Sequence, residues 1–301
     1  MGVLAKIDQT LRLRAALEDY VLTRPSPLFR PAFVLGEREE GEAQSAVAQI
    51  RDTGAFFAGV RILPERLVMI RKALADAYEG RRADLRVSVN QRTGIAQIHN
   101  PLRVCPEIIA LAVDPFLCGI AERYLRRRVL LADTDMRRVP PMEMRDLDQR
   151  AGTKAVGYTS SHWHRDIRGR QLKVMFYLTD VTEKDSNFAF LPGTHKISPV
   201  RPRHVEESRF NEEWVVSSGV TPIECYGLAG TAMVFDTNFV HRLRRKPGGA
   251  VRDSVTFYYT PGQETRFLDV DRGLIKDLPE GARLLFKGRR PAAGQAGDAS
   301  V

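Results

Sequence analysis

The spacing of hydrophobic residues changes near residue 129 and separates two differently patterned parts of the chain. Before that point apolar residues recur at helical spacing, and Pro64, Pro106 and Pro115 stand where the first turn of a helix accepts proline. The pattern predicts one strand, over residues 55–62, and helices over residues 3–22, 64–79, 106–113 and 115–124. The first part is therefore predicted to mix helix and strand.

After residue 129, short apolar runs alternate with residues that favour turns. The runs predicted as strands cover residues 129–132, 155–160, 172–179, 188–191, 231–235 and 255–260. Many short strands at such intervals are typical of a jelly roll. The fold class predicted from the pattern is mixed α/β with a mainly β core, flanked by N-terminal helices.

A chain of 301 residues, 43% of them hydrophobic, can bury one large core. We expect a single domain over residues 1–288, with its β core at about 129–262, and a disordered tail over 289–301. Two long polar segments, 140–153 and 199–218, are predicted to be substrate lids, because loops of that length are often functional.

The net charge of +9 favours acidic partners in general, but the basic residues are spread along the whole chain. This distribution favours a small-molecule substrate, including an anionic one, over nucleic acid. No apolar run approaches the roughly 18 residues of a membrane span, and no signal peptide is visible, so we expect a cytoplasmic protein without membrane contact. The three cysteines are too scattered for a disulfide framework and are expected to be free thiols. Nothing in the sequence indicates the oligomeric state.

The candidate chemistry lies in His164 and Asp166, with His241 75 residues after the aspartate (241 − 166). Two imidazoles and one carboxylate on one face of a metal leave the other face open, as in non-haem Fe(II) oxygenases. Arg252 follows His241 by 11 residues (252 − 241), across a Pro-Gly-Gly turn at 247–249. The turn predicts that His241 and Arg252 lie on neighbouring antiparallel segments. Arginine binds carboxylates through two parallel hydrogen bonds, which suits the far carboxylate of 2-oxoglutarate.

Four motifs resemble the phytanoyl-CoA dioxygenase family: Ser-His-Trp-His-Arg-Asp at 161–166, Leu-Thr-Asp-Val-Thr at 178–182, Asn-Phe-Ala-Phe-Leu-Pro-Gly-Thr-His-Lys at 187–196, and Gly-Thr-Ala-Met-Val-Phe-Asp-Thr-Asn-Phe-Val-His at 230–241. The resemblance covers about residues 155–262. It implies a cupin-like double-stranded β-helix that binds Fe(II) through His164, Asp166 and His241.

The same resemblance implies that Arg252 binds 2-oxoglutarate. The small hydroxyl residue that the family often carries two positions after the distal histidine is Leu243 in this chain. Ser254 is the nearest hydroxyl and is therefore included among the predicted cofactor contacts. Lys173 is the alternative cation for the co-substrate.

These residues predict an Fe(II)/2-oxoglutarate-dependent dioxygenase that hydroxylates a small metabolite or natural product and uses O₂ as co-substrate. The reaction would release succinate and CO₂. Two alternatives stay open at this stage. A jelly-roll metalloenzyme would use its metal as a Lewis acid, and a non-catalytic protein would use its basic surface to bind a partner.

Overall fold

The computed structural model describes residues 29–99, 101–142, 161–166, 171–196, 208–261 and 272–286. Two antiparallel sheets form its β core. The predicted helix at 3–22, the predicted strand at 155–160 and the predicted tail at 289–301 lie outside the described residues. So do residues 143–153 of the first predicted lid and residues 199–207 of the second.

The larger sheet has seven strands in the order β1-β10-β6-β12-β4-β3-β2, and the smaller has five in the order β8-β5-β11-β7-β9. Their bounds are β1 Ala55–Val60, β2 Val87–Val89, β3 Ala96–Ile98, β4 Leu130–Val139, β5 Trp163–His164, β6 Leu172–Tyr177, β7 Asn187–Phe190, β8 Arg209–Phe210, β9 Ile223–Cys225, β10 Thr231–Asp236, β11 His241–Arg244 and β12 Arg252–Thr260. Strands β1, β2 and β3 precede residue 129, so the larger sheet begins earlier in the chain than the sequence pattern indicated.

The α-helices of the described residues fall mainly before the β core. They are α1 Glu37–Thr53, α2 Pro64–Tyr78, α3 Pro106–Ala112, α4 Pro115–Leu125, α5 Glu212–Ser217, α6 Arg272–Ile275 and α7 Glu280–Leu284. The predicted helices α2, α3 and α4 are confirmed, each with proline in its first turn.

Alternation along the strands gives the larger sheet two apolar faces. Val174 and Phe257 point outward and join a cluster with Ile50 of α1 and Ile120 of α4. Residues of the opposite face join the smaller sheet in a second, mainly aromatic cluster formed by Met175, Tyr177, Phe188, Phe190, Met233, Phe235 and Phe239. The two sheets therefore pack face to face, and the helices cover the outer face of the larger one.

Helix α1 and strand β4 differ from the sequence prediction. Helix α1 was not predicted, although Ala43, Ala46, Val47 and Ile50 are buried at helical spacing. Two of these four residues are alanines, whose small side chains give a weak apolar signal. Strand β4 was predicted over 129–132 only, but it runs to Val139. The apolar pattern did not mark its second half as strand, because several of its residues are polar and face the space between the sheets.

The second half of segment 199–218 is not a loop, contrary to the prediction. There the chain forms strand β8 and helix α5. Asn211 caps the helix by accepting a hydrogen bond from the Trp214 amide, and Val215 packs into the core. The burial of Val215 therefore stabilises helix α5 in a segment whose composition is mainly polar.

The strands that carry His241 and Arg252 are not neighbours, contrary to the prediction. Strand β11 belongs to the smaller sheet and β12 to the larger. The Pro-Gly-Gly turn carries the chain from one sheet to the other. Gly249 has a positive φ of 79°, and a Cβ there would lie 2.6 Å from Asp185 Oδ1, so this turn requires glycine at 249.

No helix in the described part of the chain is long and apolar enough to cross a bilayer. Cys105, Cys118 and Cys225 are free thiols, as predicted, and the last two are buried.

Candidate metal and co-substrate site

The two predicted histidine ligands are held opposite each other in the smaller sheet. His164 ends β5, His241 begins β11, and their Cα atoms are direct partners in the antiparallel register. Side chains of such partners emerge on the same face of a sheet. The two imidazole rings therefore meet, with their centroids 4.4 Å apart.

Asp166 follows β5 and turns its carboxylate toward both rings. Its backbone N–H donates to the carbonyl of Thr237, which fixes the chain at this point. Asp166 Oδ1 lies 3.9 Å from His164 Nε2 and 3.8 Å from His241 Nε2. One ligand atom from each residue lies within 4.8 Å of the others, close enough for one metal ion to bind all three. Nitrogen and carboxylate ligands suit Fe(II).

Hydrogen bonds to the backbone orient the imidazoles. His164 Nδ1 lies 2.8 Å from the carbonyl of His162, and His241 Nδ1 lies 2.9 Å from the carbonyl of Phe239. Because a carbonyl oxygen only accepts, each Nδ1 carries the proton and donates. Each Nε2 consequently presents its lone pair to Asp166, which is the arrangement that a metal ligand requires.

Burial keeps these imidazoles neutral. It lowers the pKa of His164 below its ordinary value of 6.5. For His241, burial and then the neighbouring His164 lower the pKa to about 3, against the opposing effect of Asp166. Phe188 and Phe239 stand beside His241, with ring centroids at 5.4 and 5.2 Å, and exclude water from it. Near neutral pH, neither histidine must lose a proton before it binds a metal.

Lys173 approaches the same aspartate from the larger sheet. Its Nζ lies 2.6 Å from Asp166 Oδ2, the oxygen that does not face the imidazoles. Burial alone would raise the pKa of Asp166, but Lys173 and the two histidines outweigh it and hold that pKa well below its usual range. The carboxylate is therefore ionised whenever the chain is folded near neutral pH.

Arg252 and Ser254 lie on β12, on the face of the larger sheet that looks toward the metal ligands. Both side chains are buried. Ser254 is the Cα partner of Tyr177, and the Arg252 guanidinium carbon lies 6.0 Å from the centroid of the Tyr177 ring. Tyr258, four residues after Ser254 and on the same face of β12, is the Cα partner of Lys173. The inner face thus carries Arg252 at one end of β12. At the other end Tyr258 is paired with Lys173, which contacts Asp166.

The structure brings four of the six predicted site residues into direct contact: His164, Asp166, His241 and Lys173. The other two, Arg252 and Ser254, share an inner sheet face with Lys173.

The sequence analysis missed two polar residues on this face, Asp135 and Arg137 of β4. Their Cα partners on β12 are Thr256 and Ser254, so both side chains point between the sheets. Arg137 Nε lies 2.6 Å from Asp135 Oδ2. The alternation Asp133-Thr-Asp-Met-Arg137 was the available signal, since it matches a strand whose inner face is polar.

The other described histidines, His99, His162 and His195, are not part of the cluster. His195 Nε2 is 3.1 Å from the carbonyl of Arg51, and His99 Nε2 is 2.8 Å from Ser88 Oγ. His99 is exposed and His195 is half-buried.

The sequence profile described as phytanoyl-CoA dioxygenase (PhyH) matches residues 57–251, which is well over half of the chain. The chain belongs to the phytanoyl-CoA dioxygenase family. This confirms the resemblance seen in the motifs. No curated protein matches the chain.

Solved structures with a similar fold include 2-oxoglutarate-dependent enzymes. The epimerase SnoN, in complex with Fe³⁺, α-ketoglutarate and nogalamycin RO, is 14% identical with a TM-score of 0.55, over 80% of this chain and 91% of that one. EctD from S. alaskensis, with 2-oxoglutarate and 5-hydroxyectoine, is 12% identical with a TM-score of 0.54, over 79% and 80%. HygX from Streptomyces hygroscopicus, with nickel, 2-oxoglutarate and hygromycin B, is 18% identical with a TM-score of 0.51, over 75% and 91%. At these identities the similarity confirms the predicted cupin-like jelly roll.

Proposed function

We propose that this member of the phytanoyl-CoA dioxygenase family is an Fe(II)/2-oxoglutarate-dependent dioxygenase that hydroxylates a small metabolite or natural product. The observation that carries the proposal is the meeting of His164, Asp166 and His241 within 4.8 Å, together with a buried arginine, Arg252, on the facing sheet. When bound, iron and 2-oxoglutarate supply oxidative decarboxylation, which consumes O₂, releases succinate and CO₂ and delivers one oxygen atom to the substrate.

The residues of the chain have separate tasks in this reaction. His164, Asp166 and His241 hold the ion, with the Nε2 atoms already deprotonated and the carboxylate already ionised. Arg252 binds the far carboxylate of 2-oxoglutarate with its planar guanidinium, and Ser254 supplies a hydroxyl beside it. Lys173 was the alternative cation, but its contact with Asp166 favours Arg252 for this task.

The substrate is proposed to lie against β4, where Asp135 and Arg137 face the space between the sheets. The Arg137 side chain is 28% exposed, compared with 10% for Asp135, so the cation is the more accessible member of the pair. A guanidinium has N–H groups beyond the Nε that meets Asp135. This arrangement supports a polar substrate that carries an anionic group.

Consumption of 2-oxoglutarate separates this proposal from its alternatives. The purified protein, given Fe(II), 2-oxoglutarate and O₂, should form succinate slowly alone and faster with a substrate. The His241→Ala protein should form none. A Lewis-acid enzyme or a binding protein would leave 2-oxoglutarate unchanged, and that result would reject the proposal.

Mass spectrometry of the product tests hydroxylation itself. A hydroxylase adds one oxygen atom to the substrate, and ¹⁸O₂ should label it. Structurally similar proteins include an epimerase and a carbocyclase, SnoN and SnoK. A product of unchanged mass, or one that has lost two hydrogens, would keep the 2-oxoglutarate chemistry and reject hydroxylation.

A further inference from the structure

The two oxygens of Asp166 have different surroundings. Oδ1 faces the Nε2 atoms of both histidines at 3.8–3.9 Å, whereas Oδ2 lies 2.6 Å from Lys173 Nζ. A carboxylate binds a metal through one oxygen or through both. The lysine occupies the side of Oδ2, so only Oδ1 is presented to an ion held by the histidines.

Lys173 is itself fixed in place. It lies on β6, between β10 and β12, near the middle of the larger sheet. Its ammonium group is 4.4 Å from the ring centroid of Tyr258 and 5.9 Å from that of Phe235, its Cα partners on either side. The side chain is only 10% exposed. A buried ammonium is costly without an anion, and Asp166 is the anion that it contacts.

The number of open positions on the metal depends on this contact. Two histidines, one aspartate oxygen and two 2-oxoglutarate oxygens fill five of six octahedral positions and leave one for O₂. A second aspartate oxygen would take the sixth.

We propose that Lys173 is a positioning residue that restricts Asp166 to binding the metal through Oδ1 alone, and so keeps a coordination position open. The inference rests on the proposed function, since it concerns the same iron and 2-oxoglutarate. In this inference Lys173 acts on the metal ligand Asp166 and does not bind the co-substrate.

The direct test is a crystal structure of the wild-type and Lys173→Met proteins with Ni(II) and 2-oxoglutarate. Methionine keeps most of the unbranched apolar length of the side chain, but it removes the ammonium. We expect one Asp166 oxygen on the metal in the wild type and both in the variant. Two bound oxygens in the wild type would overturn the proposal without the variant, and one bound oxygen in the variant would also overturn it.

Solution measurements test the same point. In the Co(II)–2-oxoglutarate complex, the visible absorption of Lys173→Met should change in intensity, because a sixth ligand weakens these bands. The matched control is Lys196→Met, which breaks an exposed lysine–aspartate pair with Asp52. Its spectrum should be that of the wild type, and equal spectra in all three proteins would count against the proposal.

Kinetics distinguish a positioning residue from a co-substrate anchor. Lys173→Met should lower kcat/KM for O₂ by about tenfold or more, with less than about a threefold change in the KM for 2-oxoglutarate. A large rise in the KM for 2-oxoglutarate would instead indicate that Lys173 is the cation that binds the co-substrate. Failure of the wild type to bind Ni(II) or 2-oxoglutarate would reject the proposed function as well, whereas a two-oxygen Asp166 in an active enzyme rejects only this inference.

Discussion

At the scale of single residues, the three proposed metal ligands are expected to act as one unit. Replacing His164 or Asp166 by alanine leaves two ligands, which is too few for a stable site of this type. Each variant should lose bound iron and 2-oxoglutarate turnover together, as measured by metal analysis and succinate formation. His195→Ala, which changes a histidine outside the cluster, is the control. Normal activity in either ligand variant would disprove the assignment.

Arg252 should determine affinity for the co-substrate. Arg252→Ala loses a charge-assisted pair in a buried place, and 2-oxoglutarate binding should weaken by on the order of 2–4 kcal/mol while iron affinity stays similar. Arg252→Lys should recover only part of the loss, because the ammonium of lysine keeps the charge but lacks the planar guanidinium that binds a carboxylate through two hydrogen bonds. Calorimetry with the Ni(II)-loaded protein measures this. Arg244→Ala, at an exposed arginine on β11, should bind normally, and unchanged binding by Arg252→Ala would contradict the role.

Arg137 should determine which small molecules accelerate the reaction. If it binds an anionic group, carboxylates or phosphates should stimulate succinate formation by the wild type more than neutral analogues do. Arg137→Gln should remove this preference and raise the substrate KM about tenfold, the usual cost of a hydrogen bond to a charged group. The KM for 2-oxoglutarate should stay the same. Equal stimulation by neutral and anionic compounds would contradict this role.

Local sequence revealed only part of this site. His164 and Asp166 are two positions apart in the chain, so the alternation of side chains along a strand predicted that they lie on the same face. The partnership of His164 with His241 depends on strand pairing over a long separation, and the motifs of the family supplied it. The contact between Lys173 and Asp166 depends on how two sheets close on each other, which periodicity within one strand does not encode.

At the scale of elements, helix α4 is tied to the segment before α1 by a buried carboxylate. Glu122 Oε2 accepts hydrogen bonds from the backbone N–H groups of Ala32 and Phe33 at 2.6 and 3.2 Å. Burial raises the pKa of Glu122 above its ordinary value of 4.5, against the effect of these two donors. The folded state therefore binds this proton more tightly than the unfolded state does.

The sign of the resulting pH dependence follows from linkage. The contribution of the Glu122 proton is fully present below about pH 4.5 and is lost as the pH rises through the higher folded pKa. Glu122→Gln keeps an acceptor for both N–H groups but does not titrate. Relative to the wild type, this variant should gain stability between pH 4.5 and 7 in urea unfolding. Glu42→Gln, on an exposed part of α1, is the control, and parallel curves for Glu122→Gln and the wild type would contradict the expectation.

Helices and strands were predictable where the apolar pattern was strong. Helices α2, α3 and α4 start at prolines that the sequence marks, whereas α1 buries Ala43 and Ala46, whose small side chains give little contrast. Strand β4 was cut short in the prediction because Asp135 and Arg137 look like loop residues until the space between the sheets is known to be polar.

For the whole molecule, the metal site joins the two sheets. The histidines belong to the smaller sheet, and Arg252 and Lys173 to the larger. Ligands that bind only the folded state stabilise it by about 2.7 kcal/mol at a hundredfold excess over Kd. Ni(II) with 2-oxoglutarate should therefore raise the Tm of the wild type by several degrees in calorimetry. His241→Ala should show no such rise, and a rise equal to that of the wild type would mean that the ligands bind elsewhere.

The pairing of β1 with β10 has a consequence for biosynthesis. Ala55 is the partner of Phe235, which the ribosome adds 180 residues later (235 − 55). At roughly 5–20 residues per second, the interval is on the order of 10–40 s. During that time Phe56 and Phe57 have no partner strand, so the nascent chain presents an apolar edge to chaperones. His164 likewise waits for His241, so both histidines can bind iron together only after residue 241 has been translated.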